Sequence, residues 1–173
     1  MQQKEGITTQ KRTRTPEQAR AALMRLCARA EKCEGDARRL MRGWGLTEEQ
    51  IREVLARLVG ERFIDDARYT EAFVREKLHL SGWGIYKIRA ALQRKGIAAG
   101  LIDAALGRLD REGMAARLRE QLRRKVRTIR GATPRELKTK LIRYGLSLGY
   151  EYDSVFECVS ELVKNDEESC DTY

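Results

Sequence analysis

Apolar residues recur along this chain at intervals of three and four, the spacing that puts them on one face of a helix. Ala19, Leu23, Leu26, Cys27 and Ala30 form one stripe. Tyr69, Phe73, Val74 and Leu78 form a second, and Met114, Leu118, Leu122, Val126 and Ile129 a third. No run alternates with period two, as a half-buried strand would. Three helix starts carry their own mechanism: Thr15-Pro16-Glu17-Gln18, Thr47-Glu48-Glu49-Gln50 and Thr133-Pro134-Arg135-Glu136. In each, a hydroxyl stands at the N-cap and a Gln or Glu three residues on can reach back. Together they satisfy two backbone N–H groups that the first turn leaves without acceptors. Proline at the first helical position of two of them costs no hydrogen bond. The chain therefore reads as all-α.

The stripes also repeat. Aligning Gly45-Leu46, Gly96-Ile97 and Gly145-Leu146 places Met41, Leu92 and Leu141 four residues before each glycine, and Ala37, Ile88 and Leu137 four before those. Ile51, Val54, Leu55 and Leu58 follow the first glycine at the offsets at which Ile102, Ala105, Leu106 and Leu109 follow the second. After Gly145 the same spacing returns in Val155, Cys158, Val159 and Leu162, four residues late, with Ser147-Leu148-Gly149-Tyr150 available for an extra turn or loop. Each glycine suits the left-handed position that ends a helix. The prediction is three tandem three-helix repeats at about 15–62, 65–109 and 111–164. Tails at 1–14 and 165–173 are expected to be disordered. Repeats of this size have thin cores and should lean on one another. The two Gly-Trp-Gly tripeptides, at Trp44 and Trp83, fall in different registers of the repeat. Both tryptophans read as packing residues at turns.

Charge adds a direction to the picture. Charged residues make up 35 % of the 173 and apolar ones 42 %, so the packing should be thin and elongated; net charge is +9. Residues 111–143 hold twelve bases against three acids, whereas 144–173 hold one base against eight acids. Pairing at i, i+4 cannot neutralise the basic stretch. Arg117, Arg119, Arg123, Arg124, Lys125, Arg127 and Arg130 on one helix and Arg135, Lys138, Lys140 and Arg143 on the next are the candidate binding residues for an acidic protein surface or DNA phosphates. No aromatic residue lies within 111–143, so base stacking there has no support. The acidic tail is placed to fold over the basic helices and compete with a partner.

Enzymatic chemistry finds no foothold. There is no P-loop, GxGxxG, HExxH or GxSxG motif. His79 is the only histidine and has no nucleophile or ligand cluster in sequence reach. Asp65-Asp66 reads as a helix cap before Ala67 rather than as a metal or acid–base pair. Cys27, Cys33, Cys158 and Cys170 lack metal-site or disulfide-framework spacing, as expected of incidental thiols in a reduced, cytoplasmic protein. No stretch is apolar for long enough to span a bilayer, and the N-terminus reads as neither signal peptide nor anchor. No cofactor or metal is expected.

One segment carries a family resemblance. Phe63-Ile64-Asp65-Asp66-Ala67-Arg68-Tyr69-Thr70-Glu71-Ala72-Phe73-Val74, followed by Gly82, Ile88 and Leu92-Gln93-Arg94-Lys95-Gly96-Ile97, resembles the RecX family of recombination regulators. The match is close over the central repeat and looser over the others. The first repeat has Cys33 and Asp36 where Ser and Glu are commoner, and the third has its longer loop. The resemblance implies a curved chain of three-helix repeats and a monomeric, non-enzymatic protein. It implies binding to the RecA–DNA filament that limits RecA's extension, ATPase and co-protease activity. The residue-level alternative is a basic helical-repeat protein that binds DNA directly.

Overall fold

A computed structural model describes residues 13–131 and 133–170, with side chains to 163. All regular structure among them is helical, in nine helices: α1 Pro16–Cys27, α2 Glu34–Gly43, α3 Glu48–Gly60, α4 Asp66–His79, α5 Ile85–Arg94, α6 Ala99–Gly107, α7 Arg111–Val126, α8 Pro134–Ser147 and α9 Tyr152–Cys170. The expectation of a disordered N-terminal tail lies, apart from Thr13 and Arg14, outside the described residues. The acidic C-terminal tail expected at 165–173 overlaps the end of α9. Helix α9 carries its backbone to Cys170, so 165–170 are helical, and 171–173 lie outside the described residues.

All three capping boxes form. Thr15 Oγ1 accepts from Gln18 N at 3.3 Å while Gln18 Oε1 accepts from Thr15 N at 3.2 Å. Thr47 with Gln50 and Thr133 with Glu136 repeat the exchange. At α2 the cap is Cys33, whose Sγ takes the Asp36 N–H at 3.4 Å, a thiol doing weakly what a hydroxyl does better.

The chain forms two compact units, one ending at Tyr69 and one starting at Thr70. In the first, α1 and α2 pack on α3. Ala19 and Leu23, Ala37 and Met41, and Ile51, Val54, Leu55 and Leu58 make its core, closed by Leu46 and Ile64. These are the positions the stripes single out.

In the second unit, the core residues Val74, Leu78, Ile88, Leu92, Ile102 and Leu106 precede Met114, Leu118, Leu122, Leu141, Val155, Cys158 and Val159. Backbone hydrogen bonds help to join the two halves of this unit. Gly84 N donates to Leu148 O at 2.8 Å, and Tyr86 N donates to Gly149 O at 3.1 Å. A Cβ on Gly84 would collide with the Gly149 backbone, and one on Gly149 with Lys87. The second Gly-Trp-Gly is thus a surface against which another turn lies, with Trp83 meeting Phe73 edge-on at 6.4 Å.

The third repeat keeps its register differently from the alignment on Gly145. Gly45 (φ 82°) and Gly96 (φ 81°) occupy the left-handed position, but the third such glycine is Gly149 (φ 86°). Gly145 lies inside α8, buried. The closing bonds confirm the shift: Leu46 N to Met41 O, Ile97 N to Leu92 O, and Tyr150 N to Gly145 O. Anchored on Gly149, the four residues Val155, Cys158, Val159 and Leu162 fall at the same offsets as in the other repeats. The four extra residues are one more turn of α8, not a longer loop.

Candidate partner-binding surface

Helix α7 starts where Asp110 takes the N–H groups of Glu112 and Gly113, each at 3.0 Å. It buries Met114, Leu118 and Leu122, so at 100° per residue its bases fall on two flanks and the outer face. Helix α8 buries Leu141 and Gly145 and turns Arg135, Lys140 and Arg143 to solvent.

The candidate cations divide into two groups. Arg119 pairs with Glu161 of α9 at 3.3 Å, and Arg124 with Glu120 on its own helix at 2.8 Å. Arg117 lies 3.0 Å from His79 Nδ1. A guanidinium only donates, so His79 Nδ1 is the acceptor in this contact. The Lys125 ammonium sits 5.4 Å from the Tyr144 ring centre, and Lys138 sits 4.5 Å from that of Phe156. Arg123, Arg127, Arg130, Arg135, Lys140 and Arg143 are exposed and make no ion pair among the described residues. This second group is the exposed positive surface without such ion pairs.

The structure adds what the sequence concealed. The α4–α5 turn and the adjoining flank of α7 enclose a groove of about 710 Å³ lined by Arg117, Arg124, Lys125 and Tyr144. Leu80, 84 % exposed, stands at its lip. Gln121 ties the walls together: its Nε2 donates to Gly82 O at 2.9 Å, and its Oε1 accepts from Tyr144 O–H at 3.4 Å. His79 ends α4 as expected, but its bond to Arg117 makes it part of the groove. Nothing in one-dimensional spacing links residues 79–82 to 117–125. The aromatic rings missing from 111–143 arrive from outside it: Tyr144 beside Lys125, and Phe156 beside Lys138.

Asp65 and Asp66 cap two different helices. Asp65 Oδ1 accepts from Ala67 N and Arg68 N, each at 3.0 Å. Asp66 Oδ1 accepts from Glu34 N, at the start of α2, at 2.8 Å. Among the described residues no cluster of three or more His, Cys, Asp or Glu is placed to hold a metal. Among them, too, no helix is long and apolar enough to cross a membrane.

Comparison with known proteins places this geometry. Residues 65–106 match the family model for the second three-helix domain of RecX, and 112–159 match that for the third. The regulatory protein RecX of Streptomyces coelicolor is 31 % identical over 84 % of this chain and 79 % of its own. That of Pseudomonas entomophila is 35 % identical over 75 % and 84 %. Among solved structures, a regulatory protein RecX superposes with a TM-score of 0.75 at 24 % identity, covering 85 % of this chain and 72 % of that one. RecX from Lactobacillus salivarius gives 0.73 at 20 %, covering 86 % and 96 %. These two speak for the helical-repeat fold. The family models and the sequence relatives show that the chain belongs to the RecX family of regulatory proteins.

Proposed function

We propose that the chain is a negative modulator of the RecA recombinase. It binds the RecA–DNA filament in the cytoplasm and limits filament extension, ATPase and co-protease activity. The observation that carries this reading beyond family membership is the set of six exposed cations on and after α7 and on α8: Arg123, Arg127, Arg130, Arg135, Lys140 and Arg143. Left without ion pairs among the described residues, they form a field that draws in and orients an acidic surface.

In this reading three repeats, at about 15–62, 65–109 and 111–164, span neighbouring RecA protomers. The basic helices of the third face acidic protein surface or the phosphates of the bound DNA. No cofactor takes part. Inhibition follows from occupying a surface that extension or conformational cycling requires, so the bound protein acts through the filament state it disfavours. The test is RecA's DNA-dependent ATPase with added protein. Slowing at substoichiometric protein is the expected result, and no slowing at equimolar protein refutes the reading.

A further inference from the structure

The groove beside α7 is charged in a particular way. Arg117, Arg124 and Lys125 line it against a single carboxylate, Glu120. That carboxylate is taken up by Arg124 at 2.8 Å. Arg117 faces the acceptor nitrogen of His79, which brings no countercharge. Lys125 lies over the Tyr144 ring and near no carboxylate that pairs with it. Two positive charges are therefore left over in a concavity, where low-dielectric walls focus the field more than an open surface does.

The groove is also apolar in part. Leu78, Ala116 and Tyr144 line it, and Leu80 projects at the lip, 84 % exposed. One exposed leucine is ordinary, but this one borders a basic cleft whose volume suits a ligand-sized occupant. Gln121 is committed to Gly82 and Tyr144, so it holds the walls instead of contacting an occupant.

From this we infer that the groove receives an extended acidic segment of a protein partner, with an aliphatic side chain of that segment set against Leu80. The inference rests on the reading of the chain as a regulator that binds another protein, and it names the kind of segment bound. A polynucleotide fits less well. Its phosphates would meet the cations, but its backbone has nothing to cover Leu80. Lys125 lies over the ring of Tyr144 and would compete with a base for that face. A peptide that spaces carboxylates with Leu, Ile or Val satisfies both features at once.

The experiment uses the full chain, 15N-labelled, titrated with a short peptide of Asp, Glu and Leu. Its Asn/Gln counterpart and a short oligothymidylate serve as comparisons. Shifts confined to the amides of residues 79–82 and 117–125, absent with the amide peptide, are expected. Leu80→Ser should weaken the acidic peptide about tenfold, the scale of losing one leucine contact, and Arg124→Glu should abolish binding. Both side chains are exposed, so circular dichroism should match the parent protein. No shift with millimolar acidic peptide overturns the inference. So does oligothymidylate shifting the same amides equally in the parent and in Leu80→Ser while the peptide stays silent. RecA's ATPase separates the two readings. If the peptide seats in the groove and the ATPase is unaffected, the groove stands and RecA is the wrong partner. If Leu80→Ser and Arg124→Glu slow the ATPase as well as the parent does, the groove falls and the RecA reading stands.

Discussion

Asp66 accepts a 2.8 Å hydrogen bond from the backbone N–H of Glu34, 32 residues earlier, while its neighbour Asp65 caps α4 through Ala67 and Arg68. The two carboxylates are driven in opposite directions. Burial pushes the Asp66 pKa above the usual aspartate value, outweighing the Glu34 amide that opposes it. The Arg68 N–H, first of several causes, holds Asp65 below that value. The Glu34 amide should therefore titrate with a midpoint above the usual value, and the Ala67 and Arg68 amides with one below it; NMR chemical shifts against pH read all three. The stability consequences have opposite sign. Asp65 contributes above its unfolded pKa, and that contribution is lost as pH falls through its lower folded value. Asp66 contributes below its unfolded pKa, and that contribution is lost as pH rises through its higher folded value. Asp66→Ala should destabilise α2 by about 1 kcal/mol, and Asp66→Asn, which keeps an acceptor, by less. Hydrogen exchange of the α2 amides measures both.

Arg62 is the one non-glycine residue with positive φ among those described, at 59°. It stands just past α3, where Phe63 N reaches back to Leu58 O at 2.9 Å. This is the closing pattern that Gly45 and Gly96 complete without a side chain. Its 3.5 Å contact with Asp65 is exposed on the arginine side and worth little. Arg62→Gly should therefore stabilise the first unit by roughly 0.5–1 kcal/mol, the relief of a left-handed side chain less the entropy glycine adds to the unfolded state. Thermal unfolding with a lower midpoint than the parent would contradict this.

Gly145 and Gly96 are glycines for different reasons. A Cβ on Gly145 would lie 2.7 and 2.8 Å from the two γ-carbons of Val155, where α8 and α9 touch. A Cβ on Gly96 would meet nothing within 4 Å, but its φ is 81°. Gly145→Ala should cost about 1–3 kcal/mol by overpacking, and Gly145→Ala combined with Val155→Ala should recover part of it. Gly96→Ala should cost about 1 kcal/mol from backbone strain alone, and no cavity-making substitution should rescue it. Urea unfolding of the single and double variants distinguishes the two mechanisms.

The same contrast shows what the sequence could convey. Caps and stripes are local, because the interacting residues lie three or four apart, so all three capping boxes and the buried faces were legible. The alignment on Gly145 failed because Gly145-Leu146 has the letters of a helix end, while what made that position glycine was Val155, on the following helix. Asp65-Asp66 was legible as a cap, but only the fold shows the second carboxylate serving α2. The basic stretch was legible as composition. Which of its members are engaged by other side chains was not, because Glu161, His79, Tyr144 and Phe156 come from other helices. The groove was invisible for the same reason, being built from residues about 40 positions apart.

That division of the basic residues makes the function testable at the level of side chains. Arg119 is held by Glu161, and Lys138 lies against Phe156, so replacing either perturbs packing as well as charge. Arg123, Arg127 and Arg130 are exposed and carry neither burden. Replacing all three with Glu changes the local charge by six units while leaving the helix-packing contacts of Met114, Leu118 and Leu122 in place. If acidic surface on the filament is the target, the triple variant should lose inhibition of RecA's ATPase by at least tenfold in the concentration required. The Lys versions should retain most of it. Raising ionic strength should weaken the parent protein and leave the residual effect of the Glu variant nearly flat, because the screened charges are already gone. Full inhibition by the Glu variant would move the contact surface off the exposed side of α7, whereas equal loss in the Lys versions would point to guanidinium geometry, bidentate on carboxylate or phosphate, over charge alone.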